Sequence, residues 1–183
     1  LGLPVGKLIC ASNANNVLTD FLQTGTYDRR RPLHKTASPS MDILVSSNLE
    51  RLLYLLSGDA ALVADLMGQL SEHGHYTVPE TLLAKIQSQF YAGWCDEEAG
   101  KETSRSVWKD HGYLCDTHTA SGWAVAKDYV NQTGDTRPMV VLSTASPYKF
   151  PAAVLTAIGR EAQGDEFHQM EQLEEATGVP IPG

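Results

Sequence analysis

The chain has 183 residues, enough for one domain or a large part of one. Hydrophobic residues make up 42% and the formal net charge is −8, a composition typical of a folded protein and not of a disordered one. The densest basic run is Arg29-Arg30-Arg31, which is followed at once by Pro32. A protein that binds nucleic-acid phosphates needs a more concentrated basic surface, so nucleic acid is not an expected partner.

Cysteine usage and apolar run length limit the class of protein further. The three cysteines, Cys10, Cys95 and Cys115, form neither a disulfide framework nor a CxxC metal pair, a pattern typical of the cytoplasm. The apolar runs are only a few residues long, so no membrane span is expected, and no signal peptide opens the chain. Residues 1–4 lack an initiator Met and lead almost directly into an apolar segment, which we expect of the interior of a longer polypeptide.

Two strand-loop-helix units are predicted, one near each end of the chain. In the first, an apolar run at residues 5–11 leads through the Asn-rich loop 12–16 into a helix that stops at Gly25. In the second, residues 139–142 form an uninterrupted apolar run, typical of a strand buried on both faces. A Ser/Thr loop follows that run, and residues 150–158 then predict a helix.

The sequence between these units is mainly helical. Leucine stripes predict two helices separated by a break at residues 57–59, and Thr77-Val-Pro-Glu80 predicts a capping box at the next helix start. The remaining predicted elements are a strand at 90–94 and helices at 96–111, at 117–129 and before Gly178. Alternating strands and helices predict an α/β fold with a mainly parallel sheet.

The loops that follow the two clearest strands are the candidate ligand site. In open α/β sheets ligands bind beyond the carboxyl ends of the strands, so we expect loops 12–16 and 143–146 at one sheet edge, lining a polar crevice. Ser146 precedes Pro147 and is better explained as a helix cap than as a catalytic residue. Thr144 lies nearer the strand end, where ligand contact and a structural role are both open.

Other polar residues carry less information. His73 and His75 have no Cys or carboxylate at metal-ligand spacing, so they are interpreted as a solvated loop and no metal site is expected. A helix is predicted to start here with Asp116 or Thr117 as its cap. His118 in its first turn is either a pocket residue or a structural one. The sequence contains no phosphate-binding glycine loop, nucleophile elbow or P-loop.

Four segments, in the same order along the chain, resemble segments of threonine synthases. Residues 11–27 are similar to the stretch after the family's phosphate-binding glycine loop, and residues 39–43 with 46–51 resemble its Ser-x-x-Met-Asp stretch and the helix start after it. Residues 116–120, Asp-Thr-His-Thr-Ala, resemble the Asp/Glu-Pro-His-Thr/Ala-Ala motif. Residues 142–150 resemble the Thr-Ala-His-Pro-x-Lys-Phe motif. Jointly the segments cover nearly the whole chain.

The resemblance implies that residues 1–183 are the C-terminal portion of the catalytic domain of such an enzyme, a helix-rich, three-layer α/β sandwich of the fold-type II (tryptophan synthase β-like) class. The family uses pyridoxal 5′-phosphate (PLP) to convert O-phosphohomoserine and water to L-threonine and phosphate. Thr144 matches the residue whose hydroxyl faces the pyridine nitrogen of the cofactor. The candidate substrate-binding residues are Asn13, Asn15, Ser40, Asp42 and His118.

The resemblance also implies that the cofactor lysine lies elsewhere. In the family that Schiff-base lysine lies in a Ser-Phe-Lys-Asp motif, which none of the seven lysines here shares: Lys7, Lys35, Lys85, Lys101, Lys109, Lys127 and Lys149. The glycine loop for the cofactor phosphate is expected just before Leu1. We therefore expect no catalytic residue in this piece, no PLP bound to it alone, no activity of its own, and self-association through the surface that the N-terminal part covers.

The chain departs from the family pattern at two positions, and two alternative functions stay open. Ser146 stands where the family usually has His, and Thr117 where it often has Pro. One alternative is another fold-type II lyase, such as a threonine dehydratase relative, against which the Ser-x-x-Met-Asp segment argues. The other is a non-catalytic α/β binding domain that kept the fold and lost the chemistry.

Overall fold

A computed structural model describes residues 4–183. Residues 1–3, which carry most of the expectation about the chain start, lie outside the described residues. The strands are β1 (Leu8–Ser12), β2 (Thr26–Asp28), β3 (His75–Thr77) and β4 (Phe90–Trp94). The helices are α1 (Val17–Thr24), α2 (Leu49–Ser57), α3 (Ala60–His73), α4 (Glu80–Gln89), α5 (Glu97–His111), α6 (Thr117–Thr133), α7 (Pro151–Ala157) and α8 (Glu166–Thr177). Single 3₁₀ turns occupy Pro39–Met41 and Pro147–Lys149.

Strands β1 and β4 form a parallel pair in which Leu8 lies opposite Phe90. Successive side chains of a strand point to opposite faces, and β4 uses both. Ala92 packs into the hydrophobic core to which α1 also contributes. The Tyr91 ring packs instead against the ring of Tyr129 on α6, with the ring centroids 4.9 Å apart. The pair is therefore covered by α1 on one face and α6 on the other, which confirms the predicted α/β class with parallel strands between helical layers.

A short antiparallel pair, β2 with β3, was not predicted from the sequence. Thr26 and Thr77 lie opposite each other in it, and their hydroxyls are 2.9 Å apart. The predicted capping box at Thr77 is wrong, because this side chain bonds across the strand pair. Helix α4 begins at Glu80, and its N-cap is Pro79, which makes no side-chain hydrogen bond.

The strand predicted at residues 139–142 is wrong for the part of the chain that the structure describes. Val140 is 80% exposed and Leu142 is 79% exposed, and the segment pairs with neither β1 nor β4. An apolar run becomes a strand only where a neighbouring strand satisfies its backbone N–H and C=O groups. The segment instead leaves an exposed apolar surface.

Most predicted helix boundaries are confirmed. Helix α2 ends at Gly58, whose φ of 69° is in the left-handed region, and Asp59 Oδ1 then accepts from Leu62 N at 3.0 Å to begin α3. Asp116 is the N-cap of α6 and was one of the two residues predicted for this role. No helix within residues 4–183 combines the length and the apolar character needed to cross a membrane.

Among the described residues the core consists of one large cluster and two smaller ones. The larger cluster joins α1, α2, α3 and α4 around Phe21, Leu53 and Ile86, all of them fully buried. Smaller clusters join α7 and α8 around Leu173, and α5 and α6 around Val107. The candidate site lies where α5, α6 and α7 meet the carboxyl ends of β1 and β4.

Candidate functional site

A cavity of about 310 Å³ opens at the carboxyl ends of the parallel strands. Asn13 directly follows β1 and Cys95 directly follows β4, and both line the cavity. This is where ligands bind in open α/β sheets. The hydroxyl-bearing residues around the cavity are Ser38, Ser104, Thr117, Ser121 and Thr156. Much of the remaining lining consists of small apolar side chains, among them those of helix α7.

The charged residues of the cavity are mainly acidic. Asp96 and Glu97 stand at the start of α5, where Asp96 Oδ1 accepts from Ala99 N at 2.8 Å. The cationic lining residue Lys101 places Nζ 2.8 Å from Glu98 Oε1, so its charge is already paired. The carboxylates therefore make this cavity a poor place for a phosphate group.

The cavity contains one thiol, that of Cys95. Burial raises the pKa of this thiol, and the neighbouring Asp96 and Glu97 carboxylates raise it further, while a hydrogen bond from Ser121 acts in the opposite direction. The thiolate is the nucleophilic form of cysteine, and a raised pKa disfavours it. The Cys95 thiol is therefore not an activated nucleophile. Within residues 4–183, no group of three or more His, Cys, Asp or Glu side chains could hold a metal ion.

Asn13, Asn15 and Asp42 form a polar cluster at the end of β1. Asp42 Oδ1 accepts from Asn13 Nδ2 at 2.8 Å and from Asn15 Nδ2 at 3.0 Å. Asn15 Nδ2 also donates to His34 O at 2.8 Å, and Asn15 Oδ1 accepts from His34 N at 2.9 Å. Both asparagines are buried, and their amides hold a loop at residues 34–42 against the strand end.

The loop 34–42 is also braced internally. Thr36 N donates to Asp42 Oδ2 at 2.9 Å, and Thr36 Oγ1 donates to Asp42 Oδ1 at 2.7 Å. Asn13 Nδ2 lies 3.0 Å from Ser38 Oγ, which is buried. The loop presents Ala37 and Ser38 to the cavity and so forms one of its walls. Sequence reasoning found Asn13, Asn15 and Asp42, but not that they bind one another.

His118, in the first turn of α6, has both ring nitrogens engaged. Nδ1 lies 2.9 Å from Asp116 Oδ1, and Nε2 accepts a hydrogen bond from the backbone N of Ser40 at 3.1 Å. The ring also packs on Phe150, with the ring centroids 5.0 Å apart. Ser40 thus contacts the site through its backbone, while the residue itself is exposed.

The loop at 143–146 lies beside the start of α6. Ser143 Oγ is 3.1 Å from Thr119 Oγ1 and 2.8 Å from the Tyr113 hydroxyl. Ser146 Oγ accepts from Tyr148 N at 3.2 Å, so the predicted capping role is confirmed. Thr144 is exposed, and within residues 4–183 its side chain makes no hydrogen bond. Thr144 is not among the residues that line the cavity.

This chain is similar in sequence and in fold to known proteins. Residues 119–179 match the family model described as threonine synthase, C-terminal. The PLP-bound threonine synthase of Brucella melitensis has a crystal structure that is 43% identical in sequence, with a TM-score of 0.82 over 93% of this chain. The chain matches the C-terminal part of threonine synthases.

Curated relatives agree with this match. Human threonine synthase-like 1 is 43% identical over 86% of this chain, and the threonine synthase of Methylobacillus glycogenes is 36% identical over 95% of it. The yeast threonine synthase structure has a TM-score of 0.81 at 28% identity. This chain spans 21% of the length of the human relative, 37% of the bacterial one and 36% of the Brucella melitensis structure.

The site geometry differs from the sequence prediction in two respects. The prediction that loops 12–16 and 143–146 leave one sheet side by side is wrong, because residues 139–142 form no strand among the described residues. Sequence reasoning also missed the contribution of α5 to the cavity. Glu97 is exposed, yet its Oε1 accepts from Ala37 N at 3.0 Å. The available signal was its place at the start of the predicted helix 96–111, directly after the predicted strand 90–94.

Proposed function

We propose that this chain forms the C-terminal side of a threonine synthase active site, which converts O-phosphohomoserine and water to L-threonine and phosphate with PLP as cofactor. The observation that supports the proposal is a convergence of segments. The four segments that resemble threonine synthases are far apart in the sequence, yet a continuous series of contacts joins them beside one cavity.

The contacts run from one segment to the next. Asn13 of the first segment bonds to Asp42 of the second at 2.8 Å. In the second segment Ser40 N donates to His118 of the third at 3.1 Å. His118 then packs on Phe150 of the fourth segment, and the neighbouring Thr119 bonds to Ser143 there. Segments that only stabilised separate parts of the fold would have no reason to be joined in one series of contacts beside the cavity.

The residues of this chain fit one contact of PLP and not the others. The exposed Thr144 hydroxyl is available to donate to a pyridine nitrogen, and its loop is fixed by the hydrogen bonds of Ser143. A hydroxyl carries no charge to balance a protonated ring, so the ring nitrogen would stay largely neutral. PLP, when bound, supplies the electron sink for the reaction, and the protein orients it.

The phosphate-binding groups and the cofactor lysine would come from the part of the protein that precedes this segment in the relatives. Asp96 and Glu97 oppose binding of a phosphate in the cavity. None of the chain's seven lysines lies in a Ser-Phe-Lys-Asp setting. This chain would therefore supply the ring-nitrogen contact and the substrate-side wall, and would be inactive alone.

The test is a product assay with the full-length protein that carries this chain. We expect O-phosphohomoserine to yield phosphate and threonine in equal amounts, and PLP omission to abolish both. Thr144→Val should lower kcat/KM, because the ring nitrogen loses its hydrogen bond, whereas Thr144→Ser should retain most of it. Formation of 2-oxobutanoate and ammonia from threonine, without phosphate release, would indicate a dehydratase. A protein that binds PLP and releases neither product set would overturn the proposal.

A further inference from the structure

The loop 34–42 is attached in two different ways. At its ends it is tied to the end of β1, through Asn15 to His34 and through Asn13 to Asp42. In its middle, where Asn13 Nδ2 also bonds to Ser38, it is held in addition by groups from two helices. Ala37 N donates to Glu97 Oε1 of α5, and Ser40 N donates to His118 Nε2 of α6. The middle carries Ala37 and Ser38, which line the cavity, so these two helix contacts help to hold the wall in place.

The contact with Ser40 fixes the protonation of the His118 ring. A backbone N–H can only donate, so Nε2 must offer a lone pair to it. In a neutral imidazole the proton is then on Nδ1, which faces Asp116 Oδ1 at 2.9 Å. This geometry makes Nδ1 the donor to Asp116 and Nε2 the acceptor from Ser40.

Asp116 is itself held in place. Its carboxylate caps α6 by accepting from the backbone N of His118 and of Thr119, and it also accepts from the Thr119 hydroxyl. Its side chain is fully buried. The His118 side chain is only 16% exposed and rests against Phe150, so the ring has little freedom to turn. The helix start therefore presents Nε2 in a fixed direction.

We propose that His118 is a positioning residue, and that its Nε2 lone pair, presented by Asp116, latches the Ser40 backbone and closes the 34–42 loop against the cavity. Neither ring nitrogen is left to bind a substrate or transfer a proton, in contrast to the substrate-binding role expected from the sequence. Loss of the acceptor would free the Ser40 backbone, while Asn13, Asn15 and Glu97 keep their contacts with the rest of the loop. The latch concerns the shape of the cavity and holds whichever reaction the site performs.

The direct test is nuclear magnetic resonance on the ¹⁵N-labelled 183-residue chain at neutral pH. The ¹⁵N shifts of the His118 ring should show an unprotonated Nε2 and a protonated Nδ1. The Ser40 amide should be protected from hydrogen exchange, because it is bonded to that nitrogen. A protonated Nε2, or a Ser40 amide that exchanges at the rate of a free loop amide, would overturn the proposal.

Two substitutions separate the latch from simple packing. His118→Phe keeps an aromatic ring on Phe150 but has no hydrogen-bond acceptor for Ser40 N. Hydrogen exchange of the Ser40 amide should therefore accelerate about fivefold or more, as expected for the loss of one net hydrogen bond. His118→Gln places a carbonyl oxygen near the position of Nε2 and should restore most of the protection. The amide of Cys95, bonded to Ser12 O at 3.1 Å, should be unchanged in both and reports that the fold is intact. Equal Ser40 exchange in the Phe and Gln variants would contradict the latch.

Discussion

The rings of Tyr27 and Tyr76 stack with their centroids 5.4 Å apart and their planes 9° from parallel. Of the two hydroxyls, that of Tyr27 is hydrogen-bonded and that of Tyr76 is not. Tyr27 donates to Leu44 O at 3.0 Å and accepts from Ser46 N at 2.9 Å. The Tyr76 hydroxyl is buried and has no partner within residues 4–183, and burial raises its pKa. A buried polar group without a partner costs about 1–3 kcal/mol.

Tyr76→Phe is therefore expected to leave the free energy of unfolding unchanged or to raise it by about 1 kcal/mol, since it removes an unsatisfied hydroxyl and keeps the ring. Tyr27→Phe is the matched control and should lower it by about 1–2 kcal/mol, because it leaves Leu44 O and Ser46 N without their partner. Urea unfolding of both variants provides the measurement. A Tyr76→Phe variant as destabilised as Tyr27→Phe would mean that Tyr76 has a partner after all.

Gly93 is expected to be required for the packing of α6 on β4. A Cβ at this position would lie 2.8 Å from Val125 Cγ1, and Val125 is buried. Gly93→Ala should therefore lower the free energy of unfolding by about 1–3 kcal/mol through overpacking.

Two further variants test the cause of the Gly93→Ala effect. Its cost should shrink in a Val125→Ala background, where the clashing methyl is gone, and a double-mutant cycle measures this coupling. Gly68→Ala is the control, because its Cβ would meet no atom within 4 Å and lies inside α3. It should stabilise by about 1 kcal/mol. Strictly additive Gly93 and Val125 effects would count against the steric explanation.

Asp42→Asn is expected to loosen the wall of the cavity. The carboxylate accepts from Asn13, Asn15 and Thr36, whereas an amide has one accepting atom and turns a donor toward these groups. Hydrogen bonds to charged groups contribute about 1.5–3 kcal/mol, so the unfolding free energy should fall by about that amount. Ser40→Ala, an exposed substitution in the same loop, should change it by less than about 0.5 kcal/mol. Equal unfolding free energies for the two variants would show that the cluster does not stabilise the loop.

The apolar segment at 139–142 is expected to cause self-association of the 183-residue chain. Val140 and Leu142 are about four-fifths exposed, and large exposed apolar patches mark interaction surfaces. Light scattering should show a dimer or larger assembly, and Val140→Lys with Leu142→Lys should shift it toward monomer. Leu55→Lys changes an equally exposed leucine on α2 and should leave the assembly unchanged. A monomeric unsubstituted chain at high concentration would contradict this.

The sequence predicted most of the helices because their signals are local. The cap of α6 at Asp116 and the cap at Ser146 each depend on residues within three positions of the cap. The pair β2–β3 was missed because strands of three residues show no clear alternation of polar and apolar side chains. The apolar pattern at 139–142 predicted a strand, but pairing needs a neighbour, which an apolar run alone does not reveal.

The site was predictable only in part for a related reason. Resemblance to threonine synthases identified Asn13, Asp42 and His118, but their partners are distant in sequence. Asn13 and Asp42 are 29 positions apart, and Ser40 and His118 are 78 apart. No periodicity links such residues, so their hydrogen bonds emerge only from the fold. Thr144 was placed by resemblance alone, and its contact with the cofactor stays a prediction.

The location of the cofactor lysine tests the central claim most directly. We expect borohydride reduction of the PLP-loaded full-length protein, followed by proteolysis and mass spectrometry, to place the modified lysine outside residues 1–183. The 183-residue chain alone should retain no stoichiometric PLP after dialysis, because a single hydrogen bond from Thr144 contributes about 1 kcal/mol and micromolar binding needs about 8 kcal/mol. Stoichiometric PLP on any one of the seven lysines of this chain would contradict the account.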